Sequence, residues 1–273
     1  MSILSFFGCG KKAPEYPADT LTTRDGTQIT ITFFRHASLS VEAGGKYIYV
    51  DPVSGYADYA ALPKADVVLI THSHYDHLDV AAVEAIQTPQ TEILCDRTSA
   101  EAFEMNCYTM RPGSVATPRD YLKVEAVAAY NTTDGHLQFH PKEREDCGYV
   151  LTIGGSRIYI AGDTEPTPEL KALKNIDIAF LPVNQPYTMT VDQAVEAVKA
   201  IPHVLQLGVY GGQAGFHLIK LNGNGADRVQ NGLQHFTIIH GILPPSDIQY
   251  NRESLGCQGT AKGSGADFRL TRI

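Results

Sequence analysis

Short apolar and aromatic runs separated by glycine and proline turns dominate the chain up to about Gly211. Ile29–Phe34 is β-branched and aromatic, which predicts a strand. Leu39-Ser40-Val41 and Tyr47-Ile48-Tyr49-Val50 flank the turn Ala43-Gly44-Gly45 and predict a hairpin ending at Asp51-Pro52. The uninterrupted apolar run Val67-Val68-Leu69-Ile70-Thr71 predicts a buried strand, and Asp79–Ile86 a helix that stops near Pro89. Ile93-Leu94-Cys95 reads as another short buried strand, and Ser99–Met105 as a short helix. Tyr121–Val127 alternates as a half-exposed strand. Tyr149–Ile153 and Arg157–Ile160 flank Gly154-Gly155 as a second hairpin. Pro168–Lys174 predicts a short helix and Ile176–Leu181 a buried strand. Thr190 and Gln193 form a capping-box pair opening a helix to Ala200. His203–Leu207 is then expected to be the last core strand.

Periodicity fades after Gly211 into a tail rich in Gly, Asn and Gln, and residues 1 to 20 also lack it. The expected organisation is an N-terminal arm at 1–20, one domain at 21–231 and an irregular C-terminal extension at 232–273. Hairpins with intervening helices predict an α/β (α+β) arrangement, two sheets facing each other with helices outside.

Composition narrows the function without choosing it. At 273 residues the chain can bury a large core, and 43% hydrophobic and 19% charged residues are ordinary globular values. A net charge of −8 argues against broad binding to nucleic acid or an anionic membrane surface. No apolar run approaches the ~20 residues a membrane helix requires. Five scattered cysteines with no CxxC pair fit free thiols in a reducing compartment, so a cytoplasmic location is expected. Phe7-Gly8-Cys9 faintly resembles a lipoprotein cleavage site, which makes a lipid anchor at Cys9 the alternative.

The chemistry concentrates in His72-Ser73-His74-Tyr75-Asp76-His77, directly after the buried strand. Imidazole nitrogen and carboxylate oxygen are ligand types suited to zinc, and availability decides between zinc, manganese and iron. An extended segment would put His72, His74 and Asp76 on one side with His77 turned away, so one stretch could serve two neighbouring metal positions. The long loop from Tyr130 to Cys147 carries Asn131, His136 and His140, and loops of this length are more often functional than idle.

His72-x-His74-x-Asp76-His77 resembles the signature of the metallo-β-lactamase-fold hydrolases. Gly162-Asp163-Thr164 is similar to that family's bridging-aspartate motif, and Phe139-His140-Pro141-Lys142 to its third-histidine motif. Phe34-Arg35-His36-Ala37-Ser38 with Val50-Asp51-Pro52 resembles the UlaG-like branch, related to ascorbate-6-phosphate lactonase. The resemblance implies a four-layer αββα sandwich of two mixed sheets. It also implies a first metal on His72, His74 and His140, and a second on Asp76 and His77. Asp163 would bridge them, and Asp51 would fix the histidine loop from behind. Asp76 and Asp163 become the expected catalytic residues, in a hydrolase whose metal-bound hydroxide cleaves a small ester, lactone or phosphoester.

Val209 stands where the family's Pro-x-His-Tyr-Gly segment carries the histidine that completes the second position. One or two ions per chain are therefore expected, and the alternative function is a metal-binding member with little or no catalysis. His203, His217, His235 and His240 follow nearby without the matching context. His136 competes with His140, whereas His36 reads as a pocket wall in preference to a ligand. Asn131 and Tyr187 are further pocket candidates. The expected partner is a small-molecule substrate, and the sequence does not set an oligomeric state.

Overall fold

The computed structural model describes residues 15–102, 107–201, 206–211 and 214–220, the last two stretches as backbone only. Its strands form two sheets in unbroken chain order. The first contains β1 (Ala18–Thr22), β2 (Gln28–Arg35), β3 (Ser38–Ala43), β4 (Lys46–Val50), β5 (Val67–Ile70), β6 (Glu92–Cys95) and β7 (Tyr108–Thr109). The second contains β8 (Val115–Arg119), β9 (Leu122–Ala128), β10 (Cys147–Ile153), β11 (Ser156–Ile160), β12 (Ile178–Pro182), β13 (Gln206–Gly211) and β14 (Ala214–Lys220). Both sheets are mixed: β1 to β4 and β8 to β11 pair antiparallel, while β4 to β7 and β11 to β13 pair parallel.

Alternation along the central strands builds the layers. Ile48, Val50, Val67 and Leu69 face the other sheet and meet Tyr149, Leu151, Ile158, Ile160 and Phe180 in a shared core. The residues between them point outward. Tyr49, Val68 and Ile70 pack under helix α1 (Val80–Ile86), which presents Ala82, Val83 and Ile86. On the far side Val150, Tyr159, Ala179 and Leu181 pack under α3 (Pro168–Lys171) and α4 (Val191–Ala200). This is the expected four-layer αββα sandwich. Asp79 caps α1, and Thr190 with Gln193 closes the capping box on α4.

Four expectations change. Of the strand expected at His203–Leu207, the described part, Gln206 and Leu207, lies in β13, which runs on to Gly211, and β14 follows it at the sheet edge. The helix read at Ser99–Met105 begins earlier, at Arg97–Ala102 (α2), because Asp96 accepts the backbone N–H groups of Thr98 and Ser99 and starts the turn. The strand at Ile176 begins two residues later, where pairing with β11 starts at Ile178. Ala18–Thr22, which straddles the end of the expected arm, pairs with β2. Residues 1–14, Cys9, His203, the boundary at 231 and the expected extension at 232–273, with His235, His240 and Cys257, lie outside the described residues. Among the described residues, no helix is long and apolar enough to cross a membrane.

Candidate metal centre

The C-terminal ends of β5, β9 and β11 deliver three segments to one edge of the sandwich: residues 71–79, the loop from Ala129 to Asp146, and Ala161–Thr167. The first is folded back on itself. His77 N–H donates to the carbonyl of His74 at 3.0 Å, and Leu78 N–H does so at 2.9 Å. The expected extended run is thus corrected to a turn, because Asp79 must also cap α1 at its end. The turn swings His77 inward, and its ring lies 4.0 Å from that of His72.

Three groups of donor atoms converge: His72, His74 and His140; His36, Asp76 and His77; and His72, His77 and Asp163. His72 Nε2 is 3.1 Å from His74 Nδ1. Asp163 divides its carboxylate, with Oδ2 3.5 Å from His140 Nε2 and Oδ1 3.4 Å from His77 Nε2. His36 Nε2 lies 3.2 Å from His77 Nε2 and 3.3 Å from Asp76 Oδ2. Zinc–ligand bonds of about 2.0–2.1 Å place neighbouring donors of a tetrahedral site about 3.3 Å apart, so these spacings and this donor chemistry fit a divalent cation. His72, His77, His140 and His36 are buried, while His74 and Asp76 form a half-buried rim below the exposed Tyr75.

Electrostatics prepare the donors. Burial, then the neighbouring imidazoles of His77, His140 and His74, pushes His72 well below the usual histidine range and keeps it neutral. Burial, with His140 and Arg144, lowers His74. Burial works against charge on His77, yet Asp163 and Asp51 outweigh it and lift its pKa well above the ordinary value. Burial also opposes ionisation of Asp163, and His77 and His140 overcome it, holding the carboxyl far below the usual range. A pocket that gathers negative charge around His77 Nε2 favours a cation there.

Behind the donors, Asp51 accepts hydrogen bonds from the backbone N–H of Thr71 at 2.8 Å and its hydroxyl at 2.7 Å, and lies 2.8 Å from His77 Nδ1. It therefore holds the end of β5 and fixes the ring of His77 from behind. His136 is absent from the donor groups and sits 3.4 Å from Glu165. Asn131 spends its amide N–H groups on the carbonyls of His136 and Tyr187, bracing the loop. Tyr187 is half exposed and packs edge-on against Phe139.

Sequence reading missed Thr71, Glu165 and Tyr56. Thr71 sits at the end of the run that was read as a strand, and its hydroxyl lies 3.1 Å from His72 Nδ1. Glu165 follows the Gly-Asp-Thr motif and accepts from the backbone N–H groups of Thr132 and Thr133, each at 2.7 Å, tying down the loop that carries His140. Tyr56 places its ring 6.0 Å from that of His36, and no local motif marks it.

Two facing mixed sheets with outer helices and histidine–carboxylate donors at one edge define the metallo-β-lactamase fold. The chain belongs to the beta-lactamase superfamily: the model described as a beta-lactamase superfamily domain matches residues 30–205. A UPF0173 metal-dependent hydrolase of Flavobacterium johnsoniae is 34% identical over 182 residues, covering 61% of this chain and 77% of that protein. A crystal structure from Parabacteroides distasonis is 49% identical with a TM-score of 0.66, covering 68% of this chain and 84% of that one. Igni18, a metallo hydrolase of Ignicoccus hospitalis, shares the fold at 22% identity and a TM-score of 0.52, over 63% and 78%.

Proposed function

We propose that the chain is a metal-dependent hydrolase that cleaves a small ester, lactone or phosphoester, with His72, His74, His140, Asp76, His77 and Asp163 as its metal-binding residues. The observation that carries this reading is the division of Asp163 between His140 and His77, which makes one carboxylate common to two histidine groups. A divalent cation held there supplies a nucleophile from water near neutral pH and polarises the substrate oxygen that gains charge.

The chain's own residues account for the rest. His72, buried and neutral, presents a lone pair at pH 7. Asp76 is half exposed at the rim; burial opposes its ionisation, but the His36 hydrogen bond and His77 keep it a carboxylate able to orient water or accept a proton. His74 and Asp76 mark the side from which a substrate enters, and Tyr56 and Tyr75 flank it. The acidic net charge disfavours a nucleic-acid substrate and so supports a small molecule, and the name of the Flavobacterium relative supports metal-dependent hydrolysis. Phe34–Ser38 with Asp51 supports the UlaG-like branch, the scattered cysteines without a CxxC pair support a cytoplasmic setting, and the imidazole-rich donor set supports zinc ahead of manganese or iron.

The test is turnover by zinc- or manganese-reconstituted protein on a panel of esters, lactones and phosphodiesters. Asp163→Ala should abolish any activity found. A fully loaded protein inert across the panel would overturn the catalytic reading and leave metal binding alone, the alternative that Val209 motivates.

A further inference from the structure

The donor arrangement carries one step that the family pattern does not. Val209 occupies the position of the expected closing histidine, and a valine side chain has no donor atom. Yet His36, Asp76 and His77 already form a donor group of their own, and Asp163 Oδ1 lies 3.4 Å from His77 Nε2 on the side shared with His72.

We infer that His36 closes the second metal position in this chain, taking the place left without a donor by Val209. The inference rests on the metal-dependent reading above and departs from it in the ligand it adds.

Four observations converge on His36. Its Nε2 lies 3.2 Å from His77 Nε2 and 3.3 Å from Asp76 Oδ2, close to the roughly 3.3 Å that separates neighbouring ligands of a tetrahedral zinc site. His77 turns its Nδ1 to Asp51 at 2.8 Å, so its Nε2 is the nitrogen facing His36. His36 is buried, 3% exposed, where an imidazole needs a polar role.

The backbone supplies the fourth. The β2–β3 register shifts between Phe33 and Arg35, and His36 follows at φ +52°, in the left-handed region that residues with a Cβ avoid. Irregular strand ends and backbone outliers that re-aim a side chain cluster at functional sites. Here the irregularity points an imidazole at Asp76 and His77. His36 also comes from a different segment, Arg35–Ser38, than Asp76 and His77 in the turn after β5, so no single local motif announces the group.

His217 is the competing donor. Register places it opposite Val209 on the neighbouring strand, where the pairing becomes irregular between Val209 and Gly211.

Metal content per chain separates these outcomes, measured on full-length protein dialysed against zinc and then desalted. Wild type should hold two ions, His217→Ala two, and His36→Gly one. Glycine suits the left-handed backbone at this position, so His36→Gly should keep its fold, checked by thermal melting in chelator. His36→Cys loaded with cobalt should show a sulfur-to-cobalt charge-transfer band in the near ultraviolet, which only direct ligation gives. Two ions in His36→Gly, one in His217→Ala, or a cobalt-loaded His36→Cys without that band overturns the inference. One ion in wild type overturns it too, while the first site stands. No ion in wild type removes the metal-dependent reading itself.

Discussion

Asp51 and His77 are hydrogen-bonded through Oδ2 and Nδ1 at 2.8 Å, with neither side chain exposed to solvent. Asp51 sits at φ +45°, a conformation that asparagine also tolerates. Asp51→Asn therefore keeps the backbone and removes the charge. Metal affinity should fall about 10- to 100-fold, the usual cost of losing a carboxylate behind a ligating histidine. Competition with a coloured chelator measures it, and unchanged affinity would rule out the orienting role.

Tyr149 couples the two sheets beneath the donors. Its hydroxyl donates to the carbonyl of Ile70 at 2.7 Å, two residues before His72, and the ring is wholly buried. Tyr149→Phe leaves that carbonyl without a partner and should cost about 1–3 kcal/mol. Urea unfolding checks this, and a stability equal to wild type would show that the carbonyl finds another donor.

Much of this architecture is written locally. Val67–Ile70 and the Tyr149–Ile160 hairpin announce themselves because buried central strands are near-continuous apolar runs. The histidine cluster likewise contains its chemistry within six residues. What stays hidden depends on distant pairing. β1 reads Ala-Asp-Thr-Leu-Thr, and β8 contains Pro118; both are polar or half-exposed edge segments with little pattern to see. The inward swing of His77 follows from a backbone turn closed on His74, not from side-chain alternation. His36 carries no sign of its neighbours until β2 and β3 bring it beside Asp76.

Glu165 gives a pH signature. Burial raises its pKa, but hydrogen bonds from Thr132 and Thr133 outweigh this and hold it below the ordinary 4.5. A lowered folded-state pKa means that the unfolded chain binds more protons, so the contribution to stability is present above about pH 4.5. It is lost as pH falls through the folded value. Glu165→Gln should therefore destabilise the protein at pH 7 by about 1–2 kcal/mol, and the gap to wild type should narrow towards pH 3. Parallel denaturant titrations at the two pH values decide it; a constant gap would mean that the charge plays no part.

Gly148 is fixed by its neighbours. A Cβ there would lie 2.5 Å from the carbonyl oxygen of Ala161 and 2.9 Å from that of Ile160, both backbone atoms just before Gly162-Asp163. Gly148→Ala should cost at least the ~1–3 kcal/mol typical of overpacking, and it should displace Asp163 as β11 shifts. A lowered melting temperature together with weakened metal binding is the expected pair of results. A melting temperature equal to wild type would show that β11 can yield at no cost.

β1 to β7 form one sheet and β8 to β14 the other, joined in sequence through the short stretch between Thr109 and Val115. His36 and His72 to His77 belong to the first half, His140 and Asp163 to the second. A chain divided within that link would give two fragments, each with a sheet of consecutive strands and neither with a finished donor set. The first donor group, His72 and His74 with His140, would re-form only on recombination. The metal centre thus works as a coincidence detector for the two halves, complete only when both sheets are in place.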